Sequence, residues 1–373
     1  MKHYSSLDRR SAAVMKQAVA TSTELAKCRG VWLPALGTVW LERTTPLPNK
    51  ALTAALPPFP LRGMNALAVG IDMGGTSVKI GVCRGPEIVH KDVPIITADF
   101  PEPEKLIDEM VRRVRILCAR FRYIESIGAG VPGFVNAETG LVRELTNVPG
   151  WQEVYLAKAL REKTGLPAIA ENDANCMGLA EWHYGAARGL RHFIAITLGT
   201  GVGGAVFVNG ELYRGSQFGA GEVGQMSIDY RGVEGPHGNT GALERYIGHR
   251  QISERAVTLY REGRKRLSEK DRKPSALAVA AKAGDKIATR IWDEFTSQLA
   301  CTLCNCVWLL NPDAVVIGGG IAQAGDLIFK PLRKKMDAQL ARPFRENLLV
   351  IPAHFGNEAG IIGAAALTLS KAD

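Results

Sequence analysis

From Met64 onward the sequence predicts an α/β fold, and three observations carry that expectation. Two glycine-rich segments, Asp72-Met73-Gly74-Gly75-Thr76 and Thr197-Leu198-Gly199-Thr200-Gly201-Val202-Gly203-Gly204, each follow an apolar run suited to a strand, Leu67–Ile71 and Phe193–Ile196. Strand-like runs alternate with helical ones along the rest of the chain. Glycine, at 40 of 373 residues, exceeds the usual share of roughly 7%, which fits many tight turns between strands.

Residues 1–63 differ in kind. They lack strand alternation and carry Pro46, Pro48, Pro57, Pro58 and Pro60. One helix fits Ser11 to Lys27. The segment is expected to be a poorly ordered basic extension, with translation from Met64 as an alternative start. One basic helix followed by a proline-rich stretch is too little for a DNA-binding helix-turn-helix.

The elements then follow in order. Strands are expected at Ala66–Ile71, Val78–Cys83, Ile124–Gly130, Ala168–Ala170, Phe193–Leu198, Ala205–Val208 and Ala314–Ile317. The first two form a hairpin that turns on the first glycine loop. Helices are expected at Pro103–Arg120, Val154–Lys163 and Asn175–Tyr184, with Pro103 suited to a first turn and Gly165 to a stop. Further helices are expected at Leu243–Gly248, Gln251–Glu262, Ser275–Ala283, Lys286–Leu310 and Ala359–Leu369.

Composition narrows the function. At 46% hydrophobic and 22% charged the chain is globular with ample core material. No apolar run reaches the roughly 18 residues of a spanning helix. Asp8-Arg9-Arg10 and Lys16 occupy the place of a secretory signal's apolar stretch, so a cytoplasmic protein with no membrane partner is expected. The seven scattered cysteines suit reduced thiols. Cys301, Cys304 and Cys306 fall in one helical run and read as small buried residues. Of the net charge of +9, residues 1–63 hold +6, so the remainder is nearly balanced and asks for no nucleic acid.

The glycine loops carry the chemistry. Backbone N–H groups can approach phosphate oxygens closely where glycine removes the side chain. Thr76 and Thr200 add hydroxyls beside those turns. Either loop alone could be an ordinary hairpin turn. Together, with Glu171-Asn172-Asp173-Ala174-Asn175 between them, they supply two anion cradles and a carboxylate. That set suits phosphoryl transfer from a nucleotide to a hydroxyl. The structural alternative for Asp173 is an N-cap ahead of Ala174–Tyr184.

These residues resemble the ROK group of repressors and sugar kinases, within the actin/hexokinase/Hsp70-like ATPases. The resemblance runs from Met64 nearly to the C-terminus. Asp72-x-Gly74-Gly75-Thr76-x-x-Lys79 and Thr197–Gly204 resemble the family's two phosphate motifs. Gly128-x-Gly130-x-Pro132-Gly133 and Asn357–Leu367 resemble its connecting segments. Gly219-Ala220-Gly221-Glu222-Val223-Gly224 resembles the sugar-contact segment, and Val316–Ala322 the adenosine motif.

The resemblance implies two actin-like (ribonuclease H-like) lobes with ATP and sugar in the cleft between them. Residues 64–171 plus 358–373 would form the small lobe and residues 172–357 the large one. Asp173 would be the general base. Asp72 would position Mg²⁺ through water. Gly74, Gly75, Thr76 and Lys79, with Thr200 and Gly201, would serve the phosphates, and Gly318, Gly319 and Gly320 the adenosine. Asn147, Asn172, Glu222, Gln225 and Glu244, with Asp173, would contact the sugar. A homodimer is implied.

The chain departs from the family at the zinc motif. The family's histidine position holds Gln225, and its three cysteine positions hold Gly235, His237 and Ala242. One neutral imidazole cannot make a tetrahedral site, so no zinc is expected and the Asp229–Glu244 loop must be held by its own turns and packing. The resemblance implies a hexose kinase, glucokinase-like and acting on the 6-hydroxyl. Fructose, mannose, allose and N-acetylhexosamines are alternative acceptors and polyphosphate an alternative donor; Gly318–Gly320 favours ATP. A sugar-responsive repressor would need a sound DNA-binding domain in residues 1–63. A catalytically dead sugar binder is disfavoured by Asp72, Asp173 and Thr200.

Overall fold

A computed structural model describes residues 66–145, 150–235 and 237–368, the Glu144 side chain excepted. The expected extension over residues 1–63, its helix, and the sugar candidate Asn147 lie outside the described residues.

The chain builds two mixed sheets on one plan. In the first, strands β1 (Leu67–Met73) and β2 (Ser77–Arg84) form a hairpin across the first glycine loop. Strand β5 (Ile124–Val131) joins β1 in parallel, and β9 (Ala168–Asn172) joins β5. With β3 (Glu87–Lys91) the order is β3-β2-β1-β5-β9, and the short β4 (Ile95–Ile96) pairs with β2. In the second sheet, β10 (Phe193–Leu198) and β11 (Val202–Val208) form a hairpin across the second glycine loop. Strands β12 (Glu211–Tyr213), β13 (Ala314–Gly318) and β14 (Leu349–Pro352) complete the order β12-β11-β10-β13-β14. Strands β6 (Val135–Asn136), β7 (Leu141–Glu144) and β8 (Gln152–Tyr155) form a separate small antiparallel sheet.

Ten α-helices are found among the described residues: α1 (Pro103–Arg120), α2 (Leu156–Thr164), α3 (Asp173–Tyr184), α4 (Glu244–Ile247), α5 (His249–Glu262), α6 (Pro274–Lys282), α7 (Lys286–Leu310), α8 (Asp326–Gln339), α9 (Arg342–Arg345) and α10 (Ala359–Ala366). None is long and apolar enough to cross a membrane among the described residues. Helix α1 has Pro103 in its first turn and buries Leu106, Met110 and Val114 on the core of the first sheet. Helix α7 starts at Asp285, whose carboxylate accepts from the Ile287 and Ala288 amides. It buries Trp292, Phe295 and Leu299 beneath Ile194, Ile196 and Leu198 of β10.

Strand β10 is covered on both faces. Its alternate residues Phe193 and Ala195 join a second cluster with Met177 of α3 and Ile362 of α10. A strand buried on both sides tends to be an unbroken apolar run, and Phe193–Ile196 reads that way. Helices α3 and α10 pack closely together between the two sheets. Small residues make this possible: a Cβ at Gly128 would overlap the Ala364 carbonyl, and one at Gly363 the Cys176 carbonyl. The start of α3 is therefore held against the end of β5 and the base of the second hairpin.

Several expected elements are corrected. Residues 152–155 are strand β8, and the helix expected from Val154 begins at Leu156. Strand β11 starts at Val202, three residues before the expected Ala205, so Gly203 and Gly204 are strand rather than loop. A Cβ on Gly203 would press on Thr197 Oγ1 at 2.6 Å and one on Gly204 on the Gly221 carbonyl at 2.5 Å, so Gly203 serves packing across the hairpin and Gly204 packing against the Glu222 loop. Helix α8 was not expected from the sequence because Pro331 lies inside it.

Candidate active site

Asp173 sits at the first helical position of α3, immediately after β9. It is not the cap. The Asn172 side chain caps α3, its Oδ1 accepting from Ala174 N–H at 2.9 Å and Asn175 N–H at 3.1 Å. The capping alternative for Asp173 is thereby corrected, because the residue before it takes that place. Asp173 Oδ1 accepts only a local bond, from Ala174 N–H at 2.8 Å. Burial pushes the Asp173 carboxyl up to about 6; the nearby Asp72 carboxylate adds to the rise, and the backbone N–H groups oppose it. A carboxylate so placed is poised to take a proton near neutral pH.

Asp72 lies at the C-terminal end of β1, beside Gly130 of β5 and across the hairpin from Lys79. Lys79 Nζ donates to Asp72 Oδ2 at 2.9 Å. A Cβ on Gly360, at the start of α10, would stand 2.6 Å from Asp72 Cγ, so bare backbone packs on the carboxylate. The loop from Gly74 to Thr76 is braced from its carbonyl side. Thr97 Oγ1 donates to the Gly75 carbonyl at 2.9 Å, and Thr97 N–H to the Thr76 carbonyl at 3.2 Å. Thr76 itself is exposed.

The second loop is braced differently. Glu244 Oε2 accepts from Val202 N–H at 2.9 Å, and a Cβ at Gly201 would overlap that oxygen. Thr200 is exposed at the loop tip. Gly318 ends β13 in register with Thr197, so the Gly318–Gly320 segment emerges beside this loop. Gly319 has φ +88° and lies against the Leu198 carbonyl, a conformation and a closeness that exclude a side chain. Nothing lies within 4 Å of where a Cβ on Gly320 would be, so the segment faces open space.

The sugar candidates gather around Asp173. Glu222 is half-buried, and its carboxyl is pushed up to about 7 by burial first, then by the charges of Asp173 and Glu244. Glu222 therefore lies within electrostatic reach of both Asp173 and Glu244. Asn172 is committed in part, its Nδ2 donating to the Gly133 carbonyl at 3.1 Å. Gln225 keeps a buried Oε1 with no hydrogen-bond partner among the described residues. Buried polar oxygens are ordinarily paired, so this one suits a hydroxyl donor. Phe134, ahead of β6, lies across from Gly219 and near the His237 ring, with centroids 6.0 Å apart.

The loop that would hold zinc in relatives of the zinc-binding pattern is held here by hydrogen bonds. Asn239 Nδ2 donates to the Gln225 carbonyl at 2.7 Å. Ser227 bridges Ala242, and Glu234 bridges Thr240, in antiparallel pairs. The Tyr246 hydroxyl accepts from Val233 N–H at 3.1 Å. Of the three cysteines expected to be buried in this helical run, Cys304 and Cys306 are buried in α7, whereas Cys301 is only half-buried.

Some of the site had no local signal. Thr97 and Arg214 were not expected to take part, and Glu171 had no assigned role. Arg214 Nε donates to Glu171 Oε2 at 2.6 Å across 43 residues of sequence. Only the fold brings that pair together.

A model of the ROK family matches residues 68–371. The chain is 34% identical over 306 residues to the glucokinase of Halalkalibacterium halodurans, covering 79% of this chain and 92% of that protein. It is 30% identical over 301 residues to the beta-glucoside kinase of Listeria monocytogenes, covering 79% and 94%. A solved ROK family glucokinase from Streptomyces griseus, in complex with glucose and AMPPNP, superposes with a TM-score of 0.71 at 28% identity, covering 81% of this chain and 99% of that one.

Proposed function

The chain belongs to the ROK family, and from that premise we propose that it is an ATP-dependent hexose kinase that phosphorylates a sugar 6-hydroxyl, glucose being the first candidate. The observation that carries the reading is Asp173. It lies at the start of a helix capped by its neighbour, with its carboxyl raised to about 6, beside two hairpins that turn on glycine.

The chemistry follows from the placement. Asp173 accepts the proton of the sugar hydroxyl as that oxygen attacks the γ-phosphorus of ATP. The hydroxyl grows more acidic as its bond to phosphorus forms, so a carboxylate is a sufficient base. Phosphoryl transfer asks little covalent help from the protein; alignment and charge stabilisation do most of the work. The Gly74–Thr76 and Gly199–Gly201 turns supply backbone and hydroxyl donors to the phosphates. Gly318, Gly319 and Gly320 present bare backbone to the adenosine.

The charge balance of the cleft fits a divalent cation, since the Asp72 charge still acts on Asp173 despite the Lys79 pair. Asp72 would hold Mg²⁺ through water, and that ion when bound offsets the charge of the phosphates. Glu222, Gln225, Asn172, Glu244 and Asn147 orient the hexose. A β-glucoside or another hexose would be held by the same groups, and the relatives include both a glucokinase and a beta-glucoside kinase.

The test is a coupled ADP-release screen over glucose, mannose, fructose, allose, N-acetylglucosamine and a β-glucoside, with ATP and polyphosphate as separate donors. Turnover of glucose with ATP, and phosphorus on the 6-oxygen by NMR, is the expected result. Turnover of none of these acceptors would overturn the reading. A different preferred acceptor would correct the sugar and leave the reaction class.

A further inference from the structure

The proposed chemistry leaves one buried ion pair without a role. Glu171 ends two residues before Asp173 and is only 1% exposed. Its Oε1 accepts from Asn172 N–H at 2.9 Å and from Asn175 Nδ2 at 3.0 Å. Its Oε2 accepts from Arg214 Nε at 2.6 Å. A carboxylate this deep persists only when its lone pairs are met. Here Oε1 is met by Asn172, the cap before Asp173, and by Asn175, two residues after it, while Oε2 is met by Arg214. Asn172 caps the first turn of α3 and Asn175 lies within it, so Glu171 holds the backbone just before the base and a side chain just after it.

The other end of the pair belongs to the second sheet. Arg214 directly follows β12, and its own carbonyl accepts from Ala220 N–H at 3.0 Å. That bond closes the loop whose next residues are Gly221 and Glu222. Gly215, with φ +69°, starts the turn at once. Arg214 thus anchors the Glu222 loop through its main chain and the first turn of α3 through its side chain. No other ion pair among the described residues joins the two sheets at this point.

We propose that Arg214 and Glu171 are a positioning pair that ties the Glu222 loop to the first turn of α3, so that a hexose held at Glu222 is registered against Asp173. The inference rests on the kinase reading above and concerns alignment of the acceptor. Reactions that depend on alignment are sensitive to it, and a misplacement of about 1 Å can cost roughly 10²-fold.

Steady-state kinetics of the full chain, with hexose and ATP varied separately, test the pair in Glu171→Gln, Arg214→Gln, the double variant and Arg214→Lys. Each single Gln variant is expected to lose about 10–100-fold in kcat and to show a hexose KM raised several-fold. The ATP KM should stay within about twofold, which a general loss of structure would not spare. The double variant should be no worse than the worse single, because the two groups act as one unit. Arg214→Lys should recover part of the loss, keeping the charge without the guanidinium fork.

Glu171→Gln keeps an acceptor for Asn172 and Asn175 and leaves Arg214 able to reach water, so it is expected to fold. Arg214→Gln strands a buried carboxylate. If it does not fold, Glu171→Gln and Arg214→Lys decide the matter by the same hexose-against-ATP split. Hexose kinetics of Glu171→Gln within about twofold of wild type would overturn the proposal, as would equal movement of both KM values or multiplying losses in the double variant. A wild-type chain inactive on every hexose would overturn the kinase reading and the pair with it; an active wild type with unaffected variants would overturn the pair alone.

Discussion

The β1–β2 and β10–β11 hairpins share one plan, yet the first ends on a charged pair and the second on bare backbone. Each turns on a glycine loop, and each lays its first strand parallel to a later one, β5 in one case and β13 in the other. Asp72 and Thr197 occupy matching places, one residue before the end of the first strand. Asp72 faces Lys79; Thr197 faces Gly203, which has no side chain to offer. The same scaffold therefore brings a carboxylate to the end of one hairpin and an uncharged glycine turn to the end of the other. Asp173 stands between them, on a helix packed against both sheets. On the reading proposed above, this difference divides the work of the two loops.

The largest expected effect breaks the comparison at its centre. Asp173→Asn removes the group that both hairpins serve and keeps its size. General-base catalysis typically contributes ~10²–10⁴-fold, and kcat should fall by that order with only a modest change in KM. The structure sharpens this test, because Asn172 already caps α3 and the substitution cannot act through the cap. Stopped-assay turnover at pH 8 is the measurement. Near-normal turnover would remove Asp173 from the chemistry.

A second pair of variants compares the loops directly. A Cβ at Gly201 overlaps Glu244 Oε2, whereas one at Gly74 meets its nearest neighbour, the Ser77 carbonyl, at 3.3 Å. Gly201→Ala should therefore displace Glu244 and leave Val202 N–H unpaired, at a cost of about 1–3 kcal/mol. A melting temperature lower by several degrees follows, at roughly 2–4 °C per kcal/mol, with a raised ATP KM. Gly74→Ala should shift melting by less than about 2 °C, since a small give of the Ser77 backbone suffices. Equal losses in the two would mean that the loops are braced alike, against the contacts seen here.

Much of this plan was legible in the sequence, for identifiable reasons. Helix α1, strand β10 and helix α7 have the bounds expected of them because long apolar periodicity, a first-turn proline or an unbroken apolar run leaves little choice. The two glycine loops were legible because each is a glycine cluster directly after an apolar strand run. What was not legible is long-range. The Gly203–Gly204 pair looks like loop until Thr197 and Val223 are found to need the space. The Asp173 cap could not be told from the Asn172 cap, since both residue types cap equally well. Strands β3, β12 and β14 are short and largely exposed or half-buried, so their alternation is weak. The Glu171–Arg214 pair spans 43 residues and has no pattern of its own.

The smallest expected effect is the most specific to the comparison. Two causes raise the Asp173 carboxyl to about 6: burial, which is the larger, and the charge of Asp72. Only the first hairpin supplies such a charge. Above pH 6 Asp173 is ionised and can accept a proton; below it the group is protonated and turnover falls, so kcat/KM should show an acid limb near that value. Asp72→Asn removes the second cause and leaves the first. The limb should move to lower pH, by less than about one unit, and the variant should keep more of its own maximum at pH 5.5 than wild type keeps of its. Thr197→Val changes the matching residue of the other hairpin without a charge, and its limb should coincide with wild type. A ¹³C-carboxyl titration of Asp173 reads the same shift without turnover, so weak activity in Asp72→Asn does not obscure the outcome. Coincident titrations in Asp72→Asn and wild type would mean that burial alone sets the base. A shift in Thr197→Val as large as that in Asp72→Asn would mean that packing, rather than charge, couples the hairpins to Asp173.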